Sequence, residues 1–401
     1  MKNVLISAYT CCPNRGSEPG NGWNWLMGYL QNGYIVHCVT SDRYVKEIEH
    51  FCFEHKLEGI TFYFTNIPFS TISRKVPFIG DYLHYYLWLI KARPIIKKLA
   101  ASISFTHAHH VTYSSIKFGT PLYNLNTKIV LGPLGGGELP DKSLRKYLGK
   151  SYYFEAFKYA IGDFLSAINP TVRLSIKSAD CILVSNEIAA NIIKKYTSIS
   201  LVQMYDAGLA DYFSSNFIER DLNGVINIVW IGRMLPRKGL NLAIDAVAQL
   251  PKDFNFHFYI VGDGPLKDIS EKTIRGYSLQ DKTTFTGKLP HDQVKSVFEK
   301  SHLLLFPSLI DSCPMQIFES MAYSLPIVTL NHQGMKDQVT DKTGIKIDVK
   351  EHSNYPELLA EGIVSVVKDK NTYHRLSGNA YEFGQKQLWS IRIKKFIEEI
   401  L

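Results

Sequence analysis

Short apolar runs separated by amphipathic stretches recur along the whole chain. Residues 3–8, 226–231, 256–261, 303–306 and 326–329 are dominated by Val, Ile, Leu and Phe and are too short for helices, which predicts strands buried on both faces. Residues 23–30 and 240–250 instead repeat their apolar positions every three or four places, the period of a helix with one buried face. Residues 103–107 and 128–131 add two short strands to the first half. Strand and helix therefore alternate in both halves, the signature of a parallel sheet wound on both faces. Residues 205–225 hold Asp206, Gly208, Asn216 and Asn223-Gly224 with few apolar runs, and read as a linker. The 401 residues then divide into two α/β domains, 1–205 and 206–383, each of a size that buries its own core.

Candidate chemistry concentrates at the carboxyl ends of the predicted strands. Residues 311–328 read DSCPMQIFESMAYSLPIV and set two carboxylates, Asp311 and Glu319, eight positions apart around a helix start. Cys313, Pro314 and Met315 open that helix, and Pro314 suits a first turn because its missing N–H is unpaired there. Asp311 then lies where open α/β sheets bind ligands, although an Asp before a helix also serves simply as an N-cap. After the strand at 226–231 comes Gly232-Arg233-Met234-Leu235-Pro236-Arg237-Lys238-Gly239, a Gly-bounded basic turn leading into a helix, and a phosphate-binding arrangement. Gly232 allows close backbone approach, and Arg233 and Lys238 offer fixed positive charge to a diphosphate. The next strand ends in Gly262-Asp263-Gly264-Pro265. In the first half, residues 9–21 predict a flexible loop containing Gly16 and Gly20, and a second glycine-rich loop, Gly132-Pro133-Leu134-Gly135-Gly136-Gly137-Glu138, offers backbone N–H groups to an oxyanion or a hydroxyl.

These elements, in this order, resemble the retaining nucleotide-sugar glycosyltransferases of family 4. The 311–319 segment is similar to their E-x(7)-E signature, with Asp311 in place of the first Glu and one methylene shorter, about 1.5 Å. Asp337 likewise stands where the family has Glu. The resemblance implies the GT-B fold, two Rossmann-like doubly wound parallel sheets facing across a cleft, with the terminal helix at 384–401 returning to the first domain. It implies that Asp311 contacts the sugar, that Glu319 holds the nucleotide ribose, that Arg233 and Lys238 stabilise the departing diphosphate, and that Gly262 and Gly264 line the base and phosphates. Gly16 and Gly20 correspond to the loop over the donor phosphates, and a histidine after a first-domain strand contacts the transferred sugar. In His107-Ala108-His109-His110, alternation favours His109, while His110 lies on the other face and is kept as the second candidate. The pairing of His109-His110-Val111-Thr112 with the triple-glycine loop resembles a bacterial surface-polysaccharide branch. A nucleotide-diphosphate sugar, UDP- or GDP-linked, is then the donor, and a glycan or lipid-linked glycan the acceptor.

Several classes are excluded. Neither glycine loop ends in the Lys-Ser/Thr of a triphosphate P-loop or carries a tight G-x-G-x-x-G fingerprint, which argues against kinase, ATPase and dehydrogenase chemistry. Neither Asp-x-Asp nor a ligand-spaced Cys/His set occurs, so neither a metal nor another cofactor is expected. A sugar-nucleotide epimerase, a phosphorylase and a non-catalytic sugar-nucleotide scaffold stand as alternatives on the same fold. The six cysteines lack C-x-x-C spacing, the start carries no signal peptide and no apolar run reaches 18 residues, which predicts reduced thiols in the cytoplasm. Residues 1–200 hold 22 Lys and Arg against 13 Asp and Glu, whereas residues 201–401 hold 23 against 24. The basic first half interleaves Phe64, Phe69, Phe78, Tyr82, Tyr85, Tyr86 and Trp88 with Arg74, Lys75, Lys91, Arg93, Lys97 and Lys98. That mixture suits peripheral contact with an anionic membrane at the inner face of the cell, or a packed core with solvated lysines; no motif supports nucleic acid.

Overall fold

Because the strand runs are apolar on both faces, each must lie inside a sheet covered by helices on both sides. The computed structural model describes residues 2–67, 80–113, 115–213, 215–350 and 354–401 and forms two units of this kind. Phe69, Arg74, Lys75, Phe78 and the side chain of Tyr82 lie outside the described residues.

One unit comprises Met1–Gly137, Ala160–Gly208 and Trp389–Leu401. Its strands are β1 (Lys2–Ser7), β2 (Tyr34–Ser41), β3 (Ile60–Thr65), β4 (His107–His110), β5 (Lys128–Leu134), β6 (Cys181–Val184) and β7 (Leu201–Gln203). They pair in parallel in the order β3-β2-β1-β4-β5-β6-β7. The chain builds outward from β1 to β3, then crosses back to place β4 on the other side of β1, so the order reverses between β1 and β4. The terminal helix, Trp389–Glu399, packs on the helix Ser17–Gln31: Trp25 meets Phe396 edge to face at 5.4 Å, and a side chain at Gly28 would strike Ile393. Arg392 donates to the carbonyls of Tyr205 and Ala207 and fastens the same helix.

Two elements differ from the sequence reading. Residues 103–106 are a connection and the strand begins at His107, because the preceding helix, Gly80–Ser102, runs up to it; the strand runs through the histidine cluster instead of ending at it. The helix expected at 23–30 starts at Ser17, taking in Pro19 and Gly20, since proline is tolerated in a first turn. Within the described part of the aromatic and basic stretch, Tyr85 and Trp88 are fully buried and Arg93 donates to the carbonyls of Pro121 and Tyr123, each at 2.9 Å, whereas Leu83, Tyr86 and Ile90 are exposed.

The other unit comprises Glu138–Tyr159 and Leu209–Leu388. Its strands are β8 (Ile226–Ile231), β9 (Phe256–Val261), β10 (Thr283–Gly287), β11 (Leu303–Phe306), β12 (Ile327–Asn331) and β13 (Gly344–Asp348). They are parallel in the order β10-β9-β8-β11-β12-β13 and reverse between β8 and β11. Leu303, Leu305, Ile228, Trp230 and Phe258 from these strands fill the core beneath the helices Leu240–Ala248 and Tyr355–Val367.

Candidate active site

Where strand order reverses, the loops from adjacent strands diverge and leave a crevice at the carboxyl ends. In the second unit those loops follow β8 and β11, and they are bonded to each other. Leu309 and Ile310 donate their N–H groups to the carbonyl of Arg237 at 2.8 and 3.2 Å, and Ser308 Oγ donates to the same carbonyl at 3.1 Å. Gly239 makes this approach possible. It sits at φ +68°, and a side chain there would lie 1.9 Å from the carbonyl oxygen of Pro307. Gly262 does the same for the turn after β9, where a Cβ would fall 1.9 Å from the carbonyl oxygen of Gly232. Gly264 in the same turn approaches the Met234 backbone. These glycines seat one loop on another.

The Lys238 ammonium, only 7% exposed, is ion-paired with Asp311 Oδ2 and lies over the Phe306 ring at 5.6 Å. Ser308 Oγ stands 3.1 Å from the same carboxylate oxygen, and the Asp311 N–H donates to Gln333 Oε1 at 2.8 Å. Burial pulls the Lys238 ammonium below its ordinary range; Asp311 opposes that shift, while the charges of Arg237 and Arg233 reinforce it. Arg233 is exposed and makes no side-chain hydrogen bond or ion pair among the described residues. Lys238 alone pairs with the carboxylate, while Arg237, which donates to the Ile310 carbonyl at 3.3 Å, and Arg233 stand near enough to Lys238 to act on its charge, leaving a local excess of positive charge suited to an anion.

Pro314 caps the helix Met315–Ala322 instead of occupying its first turn. Cys313 Sγ accepts from Gln338 Nε2 at 3.3 Å, which fixes the segment leading into the cap. Glu319 lies one turn inside that helix, 5% exposed, and burial lifts its carboxyl to about 7. Asp337 lies in the helix Gln333–Gln338 that follows β12.

The other candidates belong to the first unit. Gly16 caps the helix Ser17–Gln31 and Gly20 is buried in its first turn. His109 is fully buried; its Nε2 donates to the Gly132 carbonyl at 2.8 Å and its Nδ1 accepts from the Tyr29 hydroxyl at 2.9 Å. The Tyr29 oxygen in turn lies 3.0 Å from His107 Nε2. His110 has Ser7 Oγ at 3.0 Å from Nδ1 and the Tyr85 hydroxyl at 3.0 Å from Nε2, and burial pushes its pKa down to about 3. A ring that contacts a bound sugar needs a free, accessible nitrogen, and both rings are fully committed inside the sheet. In this arrangement the ring nitrogens of His109 and His110 serve hydrogen bonds within the first unit.

Three groups escaped the sequence reading. Gln333 joins the Asp311 N–H to the Leu139 carbonyl, which its Nε2 reaches at 3.1 Å, and Ser308 holds the Asp311 carboxylate. Glu18, in the first turn of the helix after β1, accepts the Tyr113 N–H at 2.9 Å, and burial raises its carboxyl to about 7. Only the Glu18 position carried a local signal, as an acid in a glycine-rich segment. Among the described residues no group of three or more His, Cys, Asp or Glu side chains is placed to hold a metal ion.

Comparison with known proteins decides what this arrangement belongs to. The family model of glycosyl transferases group 1 matches residues 218–383, the segment bearing every one of these cations and both signature carboxylates. Residues 218–383 belong to that family. The group 1 domain extends to relatives across kingdoms. An uncharacterized glycosyltransferase of Methanocaldococcus jannaschii is 26% identical over 249 residues, 57% of this chain and 68% of its own. The putative colanic acid biosynthesis glycosyltransferase WcaL of Escherichia coli K12 is 30% identical over 127 residues, 30% of this chain but only 31% of its own. Anabaena HepE, solved in complex with UDP, superimposes with a TM-score of 0.61 over 100% of this chain and 99% of its own at 13% identity. That likeness establishes the architecture: group 1 sequence on a GT-B glycosyltransferase fold of two parallel α/β sheets.

Proposed function

We propose that this group 1 glycosyltransferase is a retaining, metal-independent enzyme that moves a sugar from a nucleotide-diphosphate sugar to a glycan or lipid-linked glycan acceptor in cell-surface polysaccharide synthesis. The observation that carries the reading is the Lys238–Asp311 ion pair at the strand reversal of the second unit, with Arg237 and Arg233 as further cations beside Lys238. When the bond from sugar to phosphate breaks, negative charge grows on the diphosphate, and preorganised cations, of which Lys238 is already buried, stabilise it with little reorganisation. Lys238 is held in place by Asp311, so the ammonium is oriented before the donor arrives. Asp311 then has a dual part, orienting Lys238 and accepting from a sugar hydroxyl. Glu319, buried one helical turn away from the cap, is the acceptor for ribose hydroxyls, and the Gly262 and Gly264 turn borders the phosphates. Gly16 and Gly20 shape the start of the first-unit helix that faces the acceptor. Retention requires the acceptor hydroxyl to attack from the face the leaving group vacates, and the departing phosphate takes its proton. HepE binds UDP and WcaL is assigned to colanic acid biosynthesis, which supports a UDP-linked donor and a polysaccharide acceptor here.

Calorimetric titration with UDP, GDP and a panel of nucleotide sugars, with EDTA present, tests the proposal. Binding to one base that disappears in Arg233→Ala/Lys238→Ala supports it. The absence of binding to every member, or binding that the double variant retains, overturns the diphosphate assignment.

A further inference from the structure

The helix Ser151–Ile168 has no buried residue, yet it is one of the most apolar segments of the chain. Phe154, Phe157, Ile161, Phe164, Leu165 and Ile168 recur at three- and four-residue intervals, which gathers them on one face in an arc of roughly 100°. All six are exposed: Phe157 and Phe164 are each 65% accessible and Ile168 is 61% accessible. Isolated exposed apolar residues need no explanation, but a continuous stripe along one face marks a surface that is covered by something else.

Charge identifies what covers it. Residues 142–177 hold seven Lys and Arg against two Asp and Glu. Lys150 and Lys158 are exposed; Lys158, which borders the stripe, pairs with Glu155 at 3.0 Å, whereas Asp163 lies on the opposite face of the helix. A second copy docking through this face would bring two such positive segments together. An anionic lipid surface attracts them and receives the phenylalanines at the depth of the headgroups. No helix among the described residues is long and apolar enough to cross a membrane, so the contact is one of lying on the surface.

We infer that the Ser151–Ile168 helix is an interfacial anchor that docks the protein on an anionic membrane through Phe157 and Phe164, with Lys150 and Lys158 supplying the charge preference. It stands on exposure and charge alone and does not depend on the donor site, although it would bring the enzyme to a lipid-linked acceptor.

The test uses the full chain and co-sedimentation with vesicles of phosphatidylcholine, with and without phosphatidylglycerol. The wild type should bind anionic vesicles at least tenfold more tightly than neutral ones. Phe157→Ser/Phe164→Ser should weaken that binding by roughly a hundredfold, the scale of two exposed phenylalanines no longer entering an apolar phase. Lys150→Glu/Lys158→Glu should abolish the anionic preference. Thermal melts and nucleotide calorimetry of the same variants should match wild type, which separates loss of docking from misfolding and from failure of the donor assignment. Equal vesicle binding by wild type and Phe157→Ser/Phe164→Ser overturns the inference, as does no vesicle binding by wild type. A dimer in sedimentation velocity that Phe157→Ser/Phe164→Ser converts to monomer, without vesicle binding, overturns it in favour of a second copy.

Discussion

If Glu319 receives ribose hydroxyls, nucleotide binding must expel a proton. In the free protein burial holds this carboxyl at about 7 against an ordinary 4.5, a cost of about 3 kcal/mol on its charged form. Hydroxyl donors arriving with the nucleotide favour the carboxylate and draw its pKa back toward the ordinary value. A group at pKa 7 that becomes fully ionised on binding releases about 0.5 proton at pH 7, about 0.9 at pH 6 and about 0.1 at pH 8. Affinity should fall by about tenfold from pH 8 to pH 6, because the protonated carboxyl must first ionise. Calorimetry at each pH in two buffers of different ionisation enthalpy reads the proton count directly. Glu319→Gln serves as the reference, since titration of the nucleotide phosphates is common to both proteins. Proton release identical in wild type and Glu319→Gln would falsify the ribose assignment. The same group also predicts a stability slope. The folded state keeps its proton up to about pH 7 while the unfolded chain loses it near 4.5, so its contribution declines as pH rises through that interval. Buried His110 and His107, held at about 3 and about 4, act in the opposite sense, since the unfolded chain takes up protons there below about 6.5. The slope must therefore be read as the difference between wild type and Glu319→Gln.

Other outcomes follow from the same geometry. Lys238→Ala should reduce kcat by roughly 10²–10³ with nucleotide affinity changed far less, because the ammonium meets charge that develops in the transition state; unchanged turnover in steady-state assays refutes that role. Gly239→Ala should cost about 3 kcal/mol in urea unfolding, since its Cβ would fall on the Pro307 carbonyl, and a loss below about 0.5 kcal/mol would show that the loop relaxes. His109→Phe should destabilise by about 2 kcal/mol, because the Gly132 carbonyl and Tyr29 hydroxyl lose their partner; a stable variant with strongly reduced kcat would instead restore the ring to the sugar site.

The alternation of apolar runs is enough to read the parallel α/β sheets, because a strand buried on both faces leaves a mark in consecutive residues. Element starts are less legible, and for local reasons. Nothing in the pattern Ile103-Ser104-Phe105 separates a strand from a connection; residues 103–106 lie outside the ladder because β4 pairs from His107 onward with both β1 and β5. Lys238 and Asp311 can be placed at adjacent strand ends from sequence, but their ion pair spans 73 positions, and no local spacing encodes it. Gln333 is invisible for the same reason. His109 shows the converse: strand alternation separates its face from that of His110, yet the availability of its nitrogens depends on Tyr29, 80 positions away. The exposed stripe on residues 151–168 is written in the sequence as plainly as any core helix. Periodicity reports that a face is apolar and says nothing about whether the protein itself covers it.

The proposed assignment of the donor to the second unit has a physical ground in how the two reversal points differ. Both sheets reverse beside their first strand, so the fold alone offers two equivalent crevices. At the β8–β11 reversal the loops supply Lys238 paired with Asp311, with Arg237 and Arg233 adding positive charge beside Lys238. At the β1–β4 reversal they supply Glu18 and a set of tyrosines: Tyr9 packs edge to face on Tyr113 at 4.7 Å and on Tyr85 at 5.1 Å, and Tyr113, at φ +52°, donates its N–H to Glu18. A diphosphate at the second of these would meet a carboxylate that it would force to stay protonated, while at the first it neutralises cations already assembled and partly dehydrated. A neutral, hydroxyl-rich ligand has the opposite preference, since the half-buried Glu18 carboxyl and Tyr113 ring meet its hydroxyls and its apolar face without a charge penalty. The loop residues, and not the sheets, therefore break the symmetry between the two crevices. Exchanging Glu18 for Gln should leave nucleotide binding intact while changing acceptor KM and shifting the acidic limb of its pH profile; loss of nucleotide affinity in that variant would contradict the division of labour drawn here.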